Sequence, residues 1–262
     1  RGKLDEADSL AGLAVSLDKS IFGADHGFVA AGLNNQSFIA RMRGDFARAA
    51  QLAREAVRIG RAALPSPSKD LAAYINSVGT AEYARDDLPA ATGAYRDALA
   101  EYRRALGERH LYTQTVAVNL GRTLRERGLL DEADALFRGA LATLDSAQGA
   151  HRTQWLAARV GHAQVLLARG DAAAARALLE PAYLASRTVN GESHWRTAEG
   201  ALALSESRAA TGDRAGALTL ARSARDALVS QIRAQPRLVA MAERAVQRLE
   251  PAAPPGDDGV RR

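Results

Sequence analysis

An internal repeat of 42 residues limits the folds open to this chain, and it runs without insertion or deletion from Gly2 to Ala224. Two columns of the repeat hold alanine in all six units. These columns are Ala7, Ala49, Ala91, Ala133, Ala175 and Ala217, followed seven residues later by Ala14, Ala56, Ala98, Ala140, Ala182 and Ala224. Alanine makes up roughly a fifth of the chain, so twelve agreements at twelve positions are not a chance result. We therefore expect identical units that bury their apolar faces on one another.

Within each unit the apolar residues recur with helical spacing. The stretch 131–141 has apolar residues at i, i+3, i+4, i+7 and i+8, which is the stripe of an amphipathic helix. The stretch before it, 115–127, ends at Gly128, a residue typical of helix C-termini. Alternating strand patterns are absent. The sequence therefore predicts an all-α fold in which each unit has a first helix, a tight turn and a longer second helix.

A third column of the repeat holds only small residues. It lies twelve residues before the first alanine column and consists of Ser37, Gly79, Gly121, Ala163 and Ser205. Two antiparallel helices whose axes are ~8–10 Å apart leave little room where they cross. We therefore predict that each first helix crosses its second helix at these small residues and alanines.

The columns together resemble the tetratricopeptide repeat, in the 42-residue form found in kinesin light chains and in many bacterial scaffold proteins. Residues 106–110 and 190–194 resemble the Leu-Gly-x-x-His loop between such units, and 130–133 resembles the start of a second helix. Asn34-Asn35 and Asn119-Leu120-Gly121 resemble the asparagine-rich first helix. The resemblance covers residues 2 to about 233 and implies a right-handed α-solenoid and a bacterial source.

The ends of the chain depart from the repeat. The pattern predicts a solenoid over 1–233 (a half repeat over 1–22 and about five repeats), a C-terminal capping helix over 234–250 and a disordered tail over 251–262. The first unit has a second helix but no first helix, which leaves an apolar face uncovered. We therefore expect a longer parent protein with repeats or another domain upstream, and self-association through this N-terminal face is an alternative.

Composition and motifs exclude several classes of function. The net charge is +5, but acidic and basic residues alternate, which argues against nucleic acid as a partner. No apolar run approaches the ~20 residues that span a bilayer, so we expect no membrane contact in this segment. We expect a cytoplasmic location, and a membrane-anchored parent protein is the alternative. There is no cysteine and no catalytic signature, and the carboxylates are expected on solvated faces. We expect no enzyme activity, no catalytic residue and no cofactor.

Three of the five histidines, His26, His110 and His194, share one column of the repeat. A set of metal ligands would explain them, but stacked units place equivalent atoms roughly 10–20 Å apart, too far for one ion. We therefore interpret them as loop residues that recur because the loop recurs, and expect no metal site. His162, on a first helix, is expected in the core or in the wall of the binding groove.

The resemblance implies that the first helices line a concave peptide-binding groove. The residues that it places there are Asn34, Phe38, Arg41, Asn76, Tyr83, Asn119, Arg122, Arg125 and Gln164. Asparagine amides can hydrogen-bond to the backbone of an extended peptide, and arginines can pair with carboxylates. Phe38 and Tyr83 could supply apolar pockets.

The expected function is a protein-interaction scaffold that holds a protein or peptide segment, with an acidic segment or a free C-terminus favoured by the arginines. One alternative is the regulatory or sensory region of a larger bacterial protein, such as a serine/threonine kinase or a transcription regulator. Another is a binding site for a small signalling ligand or a peptide pheromone between repeats.

Overall fold

The computed structural model describes residues 2–144, 151–230 and 236–251, and these ranges hold twelve α-helices and no strand. The helices are α1 (Gly2–Phe22), α2 (Gly27–Arg43), α3 (Phe46–Ala63), α4 (Lys69–Ala84), α5 (Leu88–Leu106), α6 (Leu111–Glu126), α7 (Leu130–Leu144), α8 (Arg152–Ala168), α9 (Ala172–Asn190), α10 (Trp195–Ala210), α11 (Arg214–Val229) and α12 (Pro236–Leu249). The predicted all-α fold is confirmed. The predicted tail over 251–262 apart from Pro251, and the start of the predicted capping helix before Pro236, lie outside the described residues.

The chain forms two compact parts, each of several repeats, which we call unit 1 (Arg1–Val165) and unit 2 (Leu166–Arg262). In unit 1, helices α1 to α7 pack successively along the chain, and in unit 2 helices α9 to α12 do the same. Each even-numbered helix from α2 to α10 is a first helix, and the odd-numbered helices are second helices. Fully buried side chains at the centre of unit 1 include Phe137 and Leu124, and Leu228 has the same role in unit 2.

The tight turn between first and second helix has the same construction in most units. Gly44 ends α2 with a φ of 85°, in the left-handed region, and its N–H donates to the carbonyl of Arg41. Asp45 follows at once and caps α3, because its carboxylate accepts a hydrogen bond from the N–H of Arg48. Asp86 adopts a φ of 68° at the glycine position, so the turn forms there without glycine. A left-handed residue followed by a capping aspartate therefore sets the hairpin geometry.

The helices cross at the small residues, as the sequence predicts. A Cβ atom added to Gly79 would lie 2.7 Å from the ring of Tyr95, and one added to Gly121 would lie 3.0 Å from the ring of Phe137. Where the column holds serine, its hydroxyl bonds to the second helix: Ser37 donates to the carbonyl of Ala49 over 2.8 Å. Both alanine columns are at most 1% exposed in the five complete units.

Three carboxylates within the described ranges are buried, contrary to the expectation that all of them lie on solvated faces. They are Glu82, Glu101 and Glu199. Glu82 is fully buried and pairs with Arg54 and Arg85, whose side chains are half exposed. The carboxylate of Glu101 accepts a hydrogen bond of 2.8 Å from the N–H of Ser68. For Glu82 and Glu101, arginines that reach solvent supply the compensating charge, so these carboxylates remain inside.

The repeated histidines are helix caps. In His26, His110 and His194, Nδ1 accepts a hydrogen bond of 3.2 Å from the N–H two residues further on, at the start of the next first helix. The described residues contain no group of three side chains that could hold a metal ion. His162 lies half-buried on α8, where its Nδ1 is 2.7 Å from the carboxylate of Asp134.

Replacing His194 with alanine is expected to lower the free energy of unfolding by about 1 kcal/mol, because the cap of α10 is lost. Burial, and secondarily the charge of Arg196, lower the pKa of His194 below its ordinary value of 6.5. The neutral ring is therefore favoured by folding, and its contribution is present above pH 6.5 and lost as the pH falls through the lowered pKa. Urea unfolding across this pH range should show the difference between wild type and His194→Ala shrinking towards low pH.

The variant His194→Asn is the matched control for this prediction. Its side chain can cap the helix and does not titrate. A gap between wild type and His194→Ala that stays constant with pH would contradict the capping role of the ring.

Candidate functional site

All nine predicted site residues lie on first helices of unit 1. They are Asn34, Phe38 and Arg41 on α2, Asn76 and Tyr83 on α4, Asn119, Arg122 and Arg125 on α6, and Gln164 on α8. We call the surface that the first eight of these residues share on α2, α4 and α6 the first-helix face. Gln164 is half-buried on α8, and none of the contacts below involves it.

Two asparagines hold unsatisfied hydrogen-bond acceptors on the first-helix face. Asn34 and Asn76 are one repeat apart and therefore occupy the same position on α2 and α4. Both are half-buried, and the Oδ1 atom of each is buried without a hydrogen-bond partner. Buried polar atoms of this kind are uncommon in folded proteins and call for a partner. Each amide oxygen has almost no accessible surface in this conformation, so a rotation of the half-buried side chain would bring it out to accept a hydrogen bond from the N–H of a ligand.

An exposed aromatic ring and an arginine lie together on α2. Phe38 is 56% exposed, and the guanidinium of Arg41 lies 5.2 Å from the centre of its ring. Burial lowers the pKa of Arg41 below its ordinary value, an effect that Tyr95 partly offsets. Arg41 forms no ion pair with a carboxylate of the described ranges. The positive charge of Arg41 is therefore partly desolvated, and no carboxylate within the described ranges neutralises it.

Tyr95 is a second-helix residue that the sequence analysis did not place at the site. Its ring packs against Gly79 of α4, and its hydroxyl donates to the hydroxyl of Thr80 over 3.4 Å. Burial raises the pKa of Tyr95 to about 12, opposed by the bond to Thr80 and by the charges of Arg122 and Arg41. The charges of the two arginines, from α6 and α2, thus act on the hydroxyl of Tyr95 on α5, which contacts Thr80 of α4. The only signal in the sequence was a bulky residue paired with Gly79, which indicates packing alone.

Glu126 is a second residue that the sequence analysis missed. Its carboxylate accepts a hydrogen bond from the hydroxyl of Tyr83 and lies 3.5 Å from a guanidinium nitrogen of Arg125. Tyr83 therefore has a polar partner within the protein, beyond the apolar pocket predicted for it. The positive charge at the C-terminal end of α6 is partly neutralised, whereas the Nε atom of Arg125 is buried without a partner.

Unit 2 contains a cavity of about 250 Å³ between α9, α10 and α11. Ala198 and Ala201 belong to its lining, together with Ala224 and Ala227. Arg187, another lining residue, pairs with Glu192 over 3.0 Å. No residue of this cavity was predicted from the sequence to bind a ligand.

None of the described helices combines the length and the hydropathy that a membrane crossing requires.

Models of the tetratricopeptide repeat match residues 29–68 and 70–146. Among solved structures, BtubC (BKLC) from P. vanneervenii is similar, with a TM-score of 0.67, 16% identity, and coverage of 87% of this chain and 91% of that one. A putative kinesin light chain from Podosopora anserina with nearly identical TPR-like repeats has a TM-score of 0.61 at 19% identity, covering 76% and 94%. No curated protein matches the sequence.

The fold is also similar to that of the Rap conjugation gene regulator of plasmid pLS20, solved in complex with the Phr* peptide. The TM-score is 0.62 at 15% identity, over 85% of this chain and 63% of that one. Identities this low show the fold alone. The matched models identify residues 29–68 and 70–146 as tetratricopeptide repeats, and the helical hairpins and the similar structures agree with a tetratricopeptide-repeat-like fold of the described residues.

Proposed function

We propose that this chain is a non-catalytic interaction scaffold whose first-helix face binds an extended segment of a partner protein. The observation that carries the proposal is the pair of buried, unpaired amide oxygens of Asn34 and Asn76. Backbone N–H groups of an extended peptide can satisfy both, since the two asparagines repeat along the face. Such contacts hold a peptide without reading its sequence.

The charges beside these asparagines favour an acidic ligand. Arg41 and Arg122 both act electrostatically on the hydroxyl of Tyr95, so their positive charges lie near one point of the face. A carboxylate there could pair with either guanidinium, whether it comes from an acidic side chain or from a free C-terminus. The exposed ring of Phe38 offers an apolar contact beside this point.

The likeness to the Rap regulator supports peptide binding, because that protein was solved with the Phr* peptide bound. The same likeness to a gene regulator supports the alternative that this chain is the regulatory region of a larger protein. The gene sequence upstream of Arg1 separates the two: a kinase or transcription-regulator domain would support the alternative, and a stop codon would exclude it.

The double variant Asn76→Ala/Arg122→Ala tests the proposal. The probe is an array of short synthetic peptides that differ in acidic content and in whether the C-terminal carboxylate is free or amidated. We expect wild type to retain acidic members preferentially and the variant to lose at least tenfold in affinity, about 1.4 kcal/mol. The melting temperature should change little, since both side chains are only half-buried.

Arg96→Ala is the control, because it also removes a charge in unit 1 but from the second helix α5, where the exposed Arg96 pairs with Glu132. This variant should bind as wild type does. Equal retention of acidic peptides by wild type and the double variant, or a preference of wild type for basic peptides, would overturn the proposal.

A further inference from the structure

The cavity between α9, α10 and α11 is lined by two alanines at positions where other repeats carry larger side chains. These are Ala201 of α10 and Ala227 of α11. The column of Ala201 holds Leu33 and Ile75 in unit 1, each 6% exposed, and the column of Ala227 holds Ile59 there, 1% exposed. Of the five complete repeats, this one alone has alanine in both columns; the other pairs are Leu33/Ile59, Ile75/Glu101, Ala117/Thr143 and Arg159/Ala185. The cavity therefore depends on residues that distinguish this repeat from the others.

The interior of this cavity is mostly apolar, and its mouth is polar. Buried alanines form the interior together with Thr197, whose hydroxyl is already bonded to that of Ser186 over 2.9 Å. The exposed lining residues form the mouth and are Arg187, Glu192, Thr219 and Ser223. An apolar cavity of about 150 Å³ holds a molecule the size of benzene. The volume of about 250 Å³ therefore admits a branched or aromatic side chain together with a small polar group that carries it.

A positive and a negative side chain lie side by side at the mouth. The Nε atom of Arg187 donates to Oε1 of Glu192 over 3.0 Å, and Nη2 donates to the same oxygen. Within the described ranges, Nη1 of Arg187 and Oε2 of Glu192 have no hydrogen-bond partner. The guanidinium also lies 5.8 Å from the centre of the Tyr183 ring, which lines the cavity. The mouth therefore offers one cationic donor and one anionic acceptor to a ligand.

We propose that this cavity binds a free apolar amino acid in its zwitterionic form. The carboxylate of the ligand pairs with Nη1 of Arg187, its ammonium group donates to Oε2 of Glu192, and its side chain enters the apolar interior. A ligand with a carboxylate alone would be repelled by Glu192, and one with an amine alone by Arg187, so a zwitterion matches both charges. The site lies in unit 2 and does not depend on the first-helix face of unit 1.

The same ion pair occurs two repeats earlier, where Arg103 pairs with Glu108 over 2.5 Å at the equivalent positions. The column of Tyr183 holds Leu99 there, 3% exposed, and the column of Ala227 holds Thr143. The ion pair is therefore part of the recurring loop, and the space beside it is what makes the pair in unit 2 a ligand site. The pair in unit 1 provides a matched control.

The probes are L-leucine and L-phenylalanine, each with its N-acetyl derivative and its amide, titrated into the full chain by isothermal titration calorimetry. We expect one saturable site per chain for at least one of the two free amino acids. Its N-acetyl derivative and its amide should each bind roughly tenfold more weakly, because each lacks one of the two charges. Ala201→Leu should abolish binding by filling the interior. This variant should fold, since Leu33 is accommodated in the same column of unit 1.

Two charge variants complete the test. Glu192→Gln should weaken binding of the free amino acid roughly tenfold and leave binding of its N-acetyl derivative unchanged. Glu108→Gln makes the same change in the equivalent pair of unit 1 and should bind as wild type does. Absence of binding of both amino acids, or binding that persists in Ala201→Leu, would overturn the site. Equal binding of the free amino acid and its two derivatives would overturn the zwitterionic class of the ligand.

Discussion

Replacing Gly79 with alanine is expected to lower the free energy of unfolding by about 1–3 kcal/mol, although alanine is the better helix former. The new Cβ atom would lie 2.7 Å and 2.8 Å from two ring carbons of Tyr95. That ring is rigid and buried, so it cannot turn away as the end of a flexible side chain could. The helices α4 and α5 must separate or the ring must move, and either change disturbs packing throughout unit 1.

Gly93→Ala on α5 is the matched control, since no atom lies within 4 Å of its added Cβ. It should stabilise the protein by about 0.5–1 kcal/mol, because alanine restricts the unfolded chain and favours helix. Urea unfolding measures both. A Gly79→Ala variant as stable as Gly93→Ala would show that the helices do not cross at Gly79, and Tyr95→Leu should recover part of the loss in the double variant.

Glu82→Gln is expected to lower the free energy of unfolding by about 2–3 kcal/mol. The carboxylate is fully buried and accepts hydrogen bonds from the guanidinium groups of Arg54 and Arg85. Glutamine keeps the shape but removes the charge, and it turns an amide NH₂ towards at least one guanidinium. The loss stays below that of a wholly buried ion pair, because both arginines reach solvent.

The control for Glu82→Gln is Glu132→Gln, which makes the same chemical change in an exposed pair with Arg96, where the two side chains are 53% and 50% exposed. Ion pairs of this kind contribute little, so a change within about 0.5 kcal/mol is expected. Equal effects of the two substitutions in thermal unfolding would show that burial does not strengthen the pairs of Glu82.

The sequence predicted the helical hairpins and their crossing because both follow from spacing within one unit. Gly79 and Ala91 are twelve residues apart in the chain, and their counterparts are equally far apart in every repeat. The same spacing placed Asn34 and Asn76 at equivalent positions of neighbouring first helices. A structural feature that one column determines in every repeat can be predicted without knowledge of the contacts between repeats.

Contacts between neighbouring repeats could not be predicted from the spacing within one repeat. The bond from Tyr83 to Glu126 spans 43 residues, and neither residue type recurs in its column. In the sequence, Glu82 and Glu101 do not differ from glutamates on exposed helix surfaces. Their burial depends on arginines from the next turn of the same helix or from a neighbouring helix, and these contacts are not visible in the repeat pattern. The histidine column was interpreted as a feature of the recurring loop from distance alone, and its capping role could not be predicted because it depends on the extended backbone conformation at those residues.

The identical hairpin turn has an evolutionary consequence. Because a left-handed residue and a capping aspartate rebuild the same junction in four of the five hairpins, duplication or loss of one such repeat leaves each remaining junction in register. The first-helix face would then lengthen or shorten by one helix, and by one asparagine where the repeat is that of Asn34 or Asn76. Duplication or loss of whole repeats would therefore change the length of the polypeptide that the first-helix face can bind, while the interior contacts within each repeat stay the same. Insertion or deletion of a single residue would instead misalign every column that follows it.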